Sequence, residues 1–159
     1  MSVVKSISAT RPVNPPGCSI VLTEAQVWEG LEIKLRHPTT FVDLITFSEL
    51  AEDHGDKIVR NIRLKGNPTL ISEPCWFYAN TMARGTYPNG EFIEDVISYG
   101  PNDELYFSIT CINILVGGLG EPEGGEPPSA KVVAARLGAE IEKALQRIRE
   151  LVEDGTIPK

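Results

Sequence analysis

Through Lys57–Lys65, Ile71–Ala79, Phe92–Tyr99 and Leu105–Leu115, apolar residues recur at every second position, the spacing of a strand with one buried face. Each apolar face is broken by one polar group. In the first run Arg60 stands among Ile58, Ile62 and Leu64, and in the third Asp95 stands among Ile93, Ile97 and Tyr99. Glu73 interrupts the second face, beside Cys75 and Phe77, and Asn113 interrupts the fourth, beyond Phe107, Ile109 and Cys111. Pro74 points to an edge or a bulge, and Trp76 and Tyr78 make the other face of that strand apolar too, so the register of Glu73 stays open.

Short turns separate these runs: Asp53-His54-Gly55-Asp56, Lys65-Gly66-Asn67-Pro68, Tyr87-Pro88-Asn89-Gly90 and Gly100-Pro101-Asn102-Asp103. Turns this short join antiparallel neighbours, so Phe47–Val116 reads as a meander. Before it, Val3–Ala9 reads as a strand ended by Pro12 and Pro15-Pro16-Gly17. Thr23 and Gln26 form a capping box that starts a helix with Val27, Trp28, Leu31 and Leu35 inward. Pro38 stops it near His37, with a short helical turn over Thr39–Leu44. After an exposed loop from Gly117 to Pro128, a helix spans Ser129–Glu153, about 36 Å at the standard rise. Its apolar stripe runs from Val133 to Val152, with Arg136–Glu140 and Arg149–Glu153 pairs expected on the wet side. Ala134 and Gly138 make its first half small-sided, which leaves room beneath it beside Leu137 and Ile141.

A buried cation, two carboxylates and an amide are costly unless they satisfy each other or a ligand, so the pattern predicts a polar-studded cavity under the helix. Arg60, Asp95 and Glu73 are the candidate catalytic groups: an Arg holds a carbonyl or carboxylate oxygen, and a buried carboxylate moves a proton. Trp76, Tyr78, Tyr99, Phe107 and Asn113, with Ala134, Leu137, Gly138 and Ile141 on the helix, are the candidate ligand-binding residues. The plainer alternative is that Arg60 pairs with Asp95 or Glu73 only to fix strand register, and that the aromatics are ordinary core.

Composition narrows the partners. The chain has 159 residues and a net charge of −7, with no Lys/Arg cluster to neutralise phosphates, which argues against nucleic acid and anionic membranes. Three scattered cysteines, Cys18, Cys75 and Cys111, fit neither a disulfide framework nor a zinc site and read as reduced thiols of a cytoplasmic protein. The start, from Met1, has no apolar leader, and no run is long enough to insert in a membrane. Two histidines, His37 and His54, support no triad, and the Glu52–Asp56 turn reads as a turn rather than a metal site. Gly117-Gly118-Leu119-Gly120 lacks the spacing and the Lys of a phosphate loop. No metal and no cofactor is expected, and nothing in the sequence sets the oligomeric state.

A strand, a capped helix, an antiparallel meander and a long C-terminal helix, in that order, resemble the α+β helix-grip fold of birch-pollen-allergen-like, START and polyketide-cyclase (SRPBCC) proteins. Pro12-Val13-Asn14-Pro15-Pro16-Gly17, Leu22-Thr23-x-x-Gln26-Val27-Trp28-Glu29-Gly30-Leu31 and Asp103-Glu104-Leu105-Tyr106-Phe107 resemble the AtaL-like branch of that superfamily. The resemblance covers nearly the whole chain, residues 1–159 as one START-like domain, and departs from the branch's pattern around Lys65–Thr86, where the strands look irregular. It implies a curved antiparallel sheet wrapped around the C-terminal helix, and a pocket between them for a hydrophobic small molecule of secondary metabolism. No catalytic residue is carried over from the branch. Three readings follow: a cofactor-free cyclase, isomerase or lyase acting on a hydrophobic oxygen-bearing molecule, a non-catalytic carrier for such a molecule, or a protein-interaction domain whose cavity its own side chains fill.

Overall fold

The structure is a computed structural model that describes Val3–Lys159; Met1 and Ser2, where the chain reads as lacking an apolar leader, lie outside the described residues. Seven antiparallel strands form one sheet in the order β1-β7-β6-β5-β4-β3-β2, curved around a C-terminal helix in the helix-grip arrangement. The strands are β1 (Ile7–Pro12), β2 (Ile45–Asp53), β3 (Lys57–Leu64), β4 (Ile71–Tyr78), β5 (Met82–Thr86), β6 (Phe92–Tyr99) and β7 (Leu105–Ile112). The four turns named from the sequence join β2–β3, β3–β4, β5–β6 and β6–β7.

Helix α1 spans Glu24–Arg36. Its capping box is formed: the Gln26 amide donates to Thr23 Oγ1 at 3.2 Å, and the Thr23 amide donates to Gln26 Oε1 at 2.9 Å. Val27, Trp28, Leu31 and Leu35 are buried, and Pro38 begins a 3₁₀ turn, Pro38–Thr40, in place of further helix. Helix α2 spans Ala130–Glu153, with Ser129 Oγ accepting from the Val132 amide. It packs on β1 and β7 at one end of the sheet and on α1. Gly30 is the close-approach point: a Cβ there would stand 2.5 Å from Ile148 Cγ1, so a side chain would push the two helices apart.

Several expectations are corrected. The first strand is Ile7–Pro12, not Val3–Ala9, because the ladder with β7 from Ile7↔Cys111 to Pro12↔Tyr106 sets its span. Pro12 is tolerated there because β1 is an edge strand. Met82–Thr86 forms a regular strand, β5, within the region expected to be irregular. Pro74 causes no bulge: β3 and β4 pair without a break from Lys57↔Trp76 to Ile62↔Ile71, and β5 pairs with β4 only from Cys75 onward. Glu73 therefore stays on the inner face, directly opposite Arg60. Neither expected wet-side pair of α2 forms. Arg149 is buried and donates to the carbonyls of Ile20 and Val13, tying the helix to the loop after β1. Arg136 donates to the carbonyls of Gly118, Leu119 and Glu121, at 3.2, 3.1 and 2.8 Å, and holds the loop between β7 and α2.

Candidate functional site

Between the concave face of the sheet, the end of α1 and the first half of α2 lies a cavity of about 730 Å³, open to solvent on one side. Leu35, Ile62, Leu64, Ile93, Ile109 and Leu137 are among its apolar walls. The segment Pro38–Ile45, the β7–α2 loop and Lys65 frame its mouth. A volume of this size suits a drug-sized organic molecule.

Two buried ion pairs lie on its inner surface. Arg60 and Glu73 sit opposite each other on β3 and β4: Arg60 Nε donates to Glu73 Oε1 at 2.6 Å, and an Nη reaches the same oxygen at 2.6 Å. The other Nη donates to the Leu35 carbonyl at 2.8 Å, so the guanidinium also satisfies a buried carbonyl in the last turn of α1. Burial, the largest single influence, lowers the pKa of Arg60, but the charge and hydrogen bond of Glu73, with Cys75 and Tyr87, together outweigh it and the net direction is up. Gly85 on β5 gives the carboxylate its space, since a Cβ there would stand 2.2 Å from Glu73 Oε2. The Tyr87 phenol faces the same group: burial, then the charge and hydrogen bonding of Glu73, push its pKa up.

The second pair joins α1 to β6. Lys34 Nζ donates to Asp95 Oδ2 at 2.6 Å, with side chains 14% and 7% exposed. The ammonium stands 6.0 Å from the centroid of the Phe107 ring. Among the described residues, this is the one hydrogen bond that either side chain makes, and Asp95 Oδ1 is not among the sealed atoms that lack a partner, so it stays open toward the cavity. Cys111 lines the cavity next to this pair, its thiol pushed up to about 11 by burial and then by the Asp95 charge. Cys75 lies beside the first pair, pushed up to about 12 by burial and then by Glu73.

Of the residues singled out in the sequence, the cavity gathers Arg60, Glu73, Asp95 and Leu137. The remainder lie elsewhere. Tyr78 points to the outer side of β4 and is 52% exposed, because Phe77 takes the inward position next to it. Trp76 is also on the outer side, half-buried under Lys57, whose Nζ is 5.4 Å from its ring centroid. Tyr99 lies past Ile97 at the far end of β6, where its hydroxyl donates to Glu24 Oε2 at 2.6 Å. Phe107 is core, 1% exposed, packed beneath Lys34 and not in the cavity wall. Asn113 falls beyond β7 in a left-handed conformation at φ 55°, and its amide donates to Ser6 Oγ. Ala134, Gly138 and Ile141 are outside the lining as well. The space over Gly138 is filled by the Arg11 guanidinium, whose Nη2 would stand 2.0 Å from a Cβ there; Ala139 and Ala144 line the cavity instead.

Sequence reasoning missed Lys34, Gly85 and Tyr87. Lys34 was within reach: Val27, Leu31 and Lys34 lie at four- and three-residue spacing on the inner stripe of α1. Among the described residues, no group of three or more His, Cys, Asp or Glu is placed to hold a metal ion. Among the same residues, no helix is long and apolar enough to cross a membrane.

A family model described as "Acetylaranotin biosynthesis cluster protein L" (AtaL) matches residues 7–155. No curated protein matches the chain by sequence. Among solved structures, the chain is similar to the Zhui aromatase/cyclase of a Streptomyces species, with a TM-score of 0.52 and 13% identity over 92% of this chain and 94% of that one. It is similar to the KanY protein, with a TM-score of 0.57 and 14% identity over 96% and 99%. It is also similar to the di-domain ARO/CYC StfQ from the steffimycin biosynthetic pathway, with a TM-score of 0.57 and 8% identity over 97% of this chain and 52% of that one. At such identities the likeness carries the fold alone.

Proposed function

The chain belongs to the AtaL family of the START-like helix-grip superfamily, and on that footing we propose that it binds a hydrophobic, oxygen-bearing small molecule in the cavity and acts on it as a cofactor-free cyclase-like enzyme. One observation carries the reading: an open cavity of about 730 Å³ with apolar walls has two ion pairs set into its inner surface. The apolar walls supply affinity through burial, and the few polar groups fix orientation. Two proteins with this fold are described as aromatase/cyclases, and that is the class of chemistry the proposal takes up.

The two pairs differ in what they offer a ligand. Each nitrogen of Arg60 already meets Glu73 or the Leu35 carbonyl, and Glu73 also faces Tyr87, so the role of Glu73 is to hold Arg60 in place. Lys34 keeps free N–H groups and Asp95 keeps Oδ1. Asp95 takes a proton from the carbon next to a ligand carbonyl, and Lys34 stabilises the enolate oxygen that forms. The enolate carbon then bonds to a second carbonyl carbon of the ligand, and Asp95 returns its proton to the resulting alkoxide. No atom or electron is needed from outside.

Nile red, a neutral apolar dye, tests the binding step. Its fluorescence should rise with the wild-type protein, and Ala139→Trp, a change at an exposed position of the lining, should weaken uptake several-fold. A carrier role is the second reading, favoured by the fact that both carboxylates already hold cations. Exchange of the methyl protons of 2-acetonaphthone in D₂O, followed by NMR, separates the two. Enzyme chemistry at Asp95 predicts exchange above background that Asp95→Asn removes. Binding without accelerated exchange leaves the carrier.

A further inference from the structure

We infer that the pocket selects uncharged ligands, and that the Lys34–Asp95 pair is its specificity-determining element, matched to a carbonyl oxygen that stands beside an O–H or N–H. This rests on the binding reading above and names the class of ligand. Each cation in the buried wall is already neutralised by one carboxylate: Lys34 by Asp95 at 2.6 Å and Arg60 by Glu73 at 2.6 Å. The rim adds Lys65 and Arg136 against Asp43, Glu121 and Glu140, and Arg136 is already held by three backbone carbonyls.

An anionic ligand therefore finds no cation in the buried wall that lacks a carboxylate partner. To bind Lys34 it must displace Asp95, which leaves a buried carboxylate without its partner and close to a second negative charge. A cationic ligand meets the mirror problem at Lys34. A neutral ligand avoids both costs and completes what the pair lacks. Its carbonyl oxygen accepts from a free Lys34 N–H, while its own O–H or N–H donates to Asp95 Oδ1, which has no partner among the described residues. The pair thus presents a donor next to an acceptor, complementary to a hydroxy-ketone, an enol or an amide edge, and unlike a carboxylate, which offers acceptors only.

Two naphthalene probes of nearly equal shape test this: 2-naphthamide, neutral, and 2-naphthoate, anionic at pH 7. Intrinsic naphthalene fluorescence or calorimetry gives each Kd. The wild-type protein is expected to bind the amide at least roughly tenfold more tightly than the carboxylate. In Asp95→Asn the ammonium loses its counter-charge, so the preference should shrink or invert. In Lys34→Gln the amide should weaken several-fold while the carboxylate stays excluded. This variant carries the test if Asp95→Asn fails to fold by circular dichroism.

Equal or tighter binding of the carboxylate by the wild type overturns the charge selection and leaves the ligand site standing, provided Nile red binds. Failure of the amide while Nile red binds overturns the proposed recognition in the same way. Failure of Nile red and both probes removes the ligand site itself, and the selection with it.

Discussion

Arg60 and Glu73 face each other across adjacent strands, whereas Lys34 reaches Asp95 from the last turn of α1, across the gap between helix and sheet. Both pairs put one cation and one carboxylate in the same cavity wall. The strand pair is over-determined: its register is fixed by an unbroken ladder, both nitrogens of the fork converge on one oxygen, and Leu35, Gly85 and Tyr87 close around it. The helix pair rests on one hydrogen bond and keeps capacity on each side. A buried charge pair in which each guanidinium nitrogen already has a partner acts as a structural clamp, and a pair joined by one hydrogen bond on a solvent-reachable wall is where a ligand can be held.

The strongest way to break this contrast is to remove one cation from each pair. Arg60→Met strands the Glu73 carboxylate in a site that only 2% exposure connects to water, and the loss expected is about 3–5 kcal/mol. Urea unfolding reads it directly, and a loss below about 1 kcal/mol would show that Arg60 is no clamp. The double variant Arg60→Met/Glu73→Leu should recover part of the loss, since replacing a whole buried pair by apolar groups is far less costly than halving it. Lys34→Met should cost less, roughly 1–3 kcal/mol, because one hydrogen bond is lost and the Asp95 side chain, 7% exposed against 2% for Glu73, is better placed for water to replace the ammonium. Equal losses for the two variants would erase the distinction. Gly85→Ala is the subtler probe. A methyl group at 2.2 Å from Glu73 Oε2 must shift the clamped carboxylate, at a cost of about 1–3 kcal/mol, whereas in Glu73→Gln/Arg60→Met the same change should cost less.

The contrast also shows which parts of a site a sequence reveals. Arg60, Glu73 and Asp95 stand out because strand alternation is local, and a polar residue in an apolar series is visible without knowing the neighbours. The family, the helix-grip fold, both helices and four of the turns follow from equally local signals: a capping box, a stripe at helical spacing, Pro and Gly at fixed offsets. Partners are set by topology. Arg11 fills the space over Gly138 only because β1 lies under α2, so a small-sided helix turn that reads as room is in fact occupied. Asn113 follows an alternating series by count, yet β7 ends at Ile112 and the next residue turns away. Tyr78 falls on the outer face of β4 by that same alternation, whereas Tyr99 shares the face of Asp95 and Ile97 and still misses the cavity, since it stands at the end of β6 and reaches Glu24 instead. The mouth of the cavity, Pro38–Ile45, carries no periodic signal at all.

Each pair has a cysteine beside it, and the two thiols give the finest comparison. Cys75 is pushed up to about 12 by burial and then Glu73, with Arg60 opposing; Cys111 is pushed up to about 11 by burial and then Asp95, with Lys34 opposing. A thiol raised in the folded state binds its proton more tightly there than in the unfolded chain, whose value is near 9.0. The stability this gives is complete below pH 9 and is lost as pH rises through about 11 for Cys111 and about 12 for Cys75. Under reducing conditions, unfolding free energy should therefore begin to fall above pH 9, and Cys111→Ala should flatten the earlier part of that fall. Thiolate absorbance gives the assignment: Asp95→Asn should lower the Cys111 value and leave Cys75 nearly unmoved, because Asp95 is the smallest contributor there. If Asp95→Asn moved both thiols alike, the two pairs would form one electrostatic unit, and neither could be tuned for a ligand without disturbing the clamp.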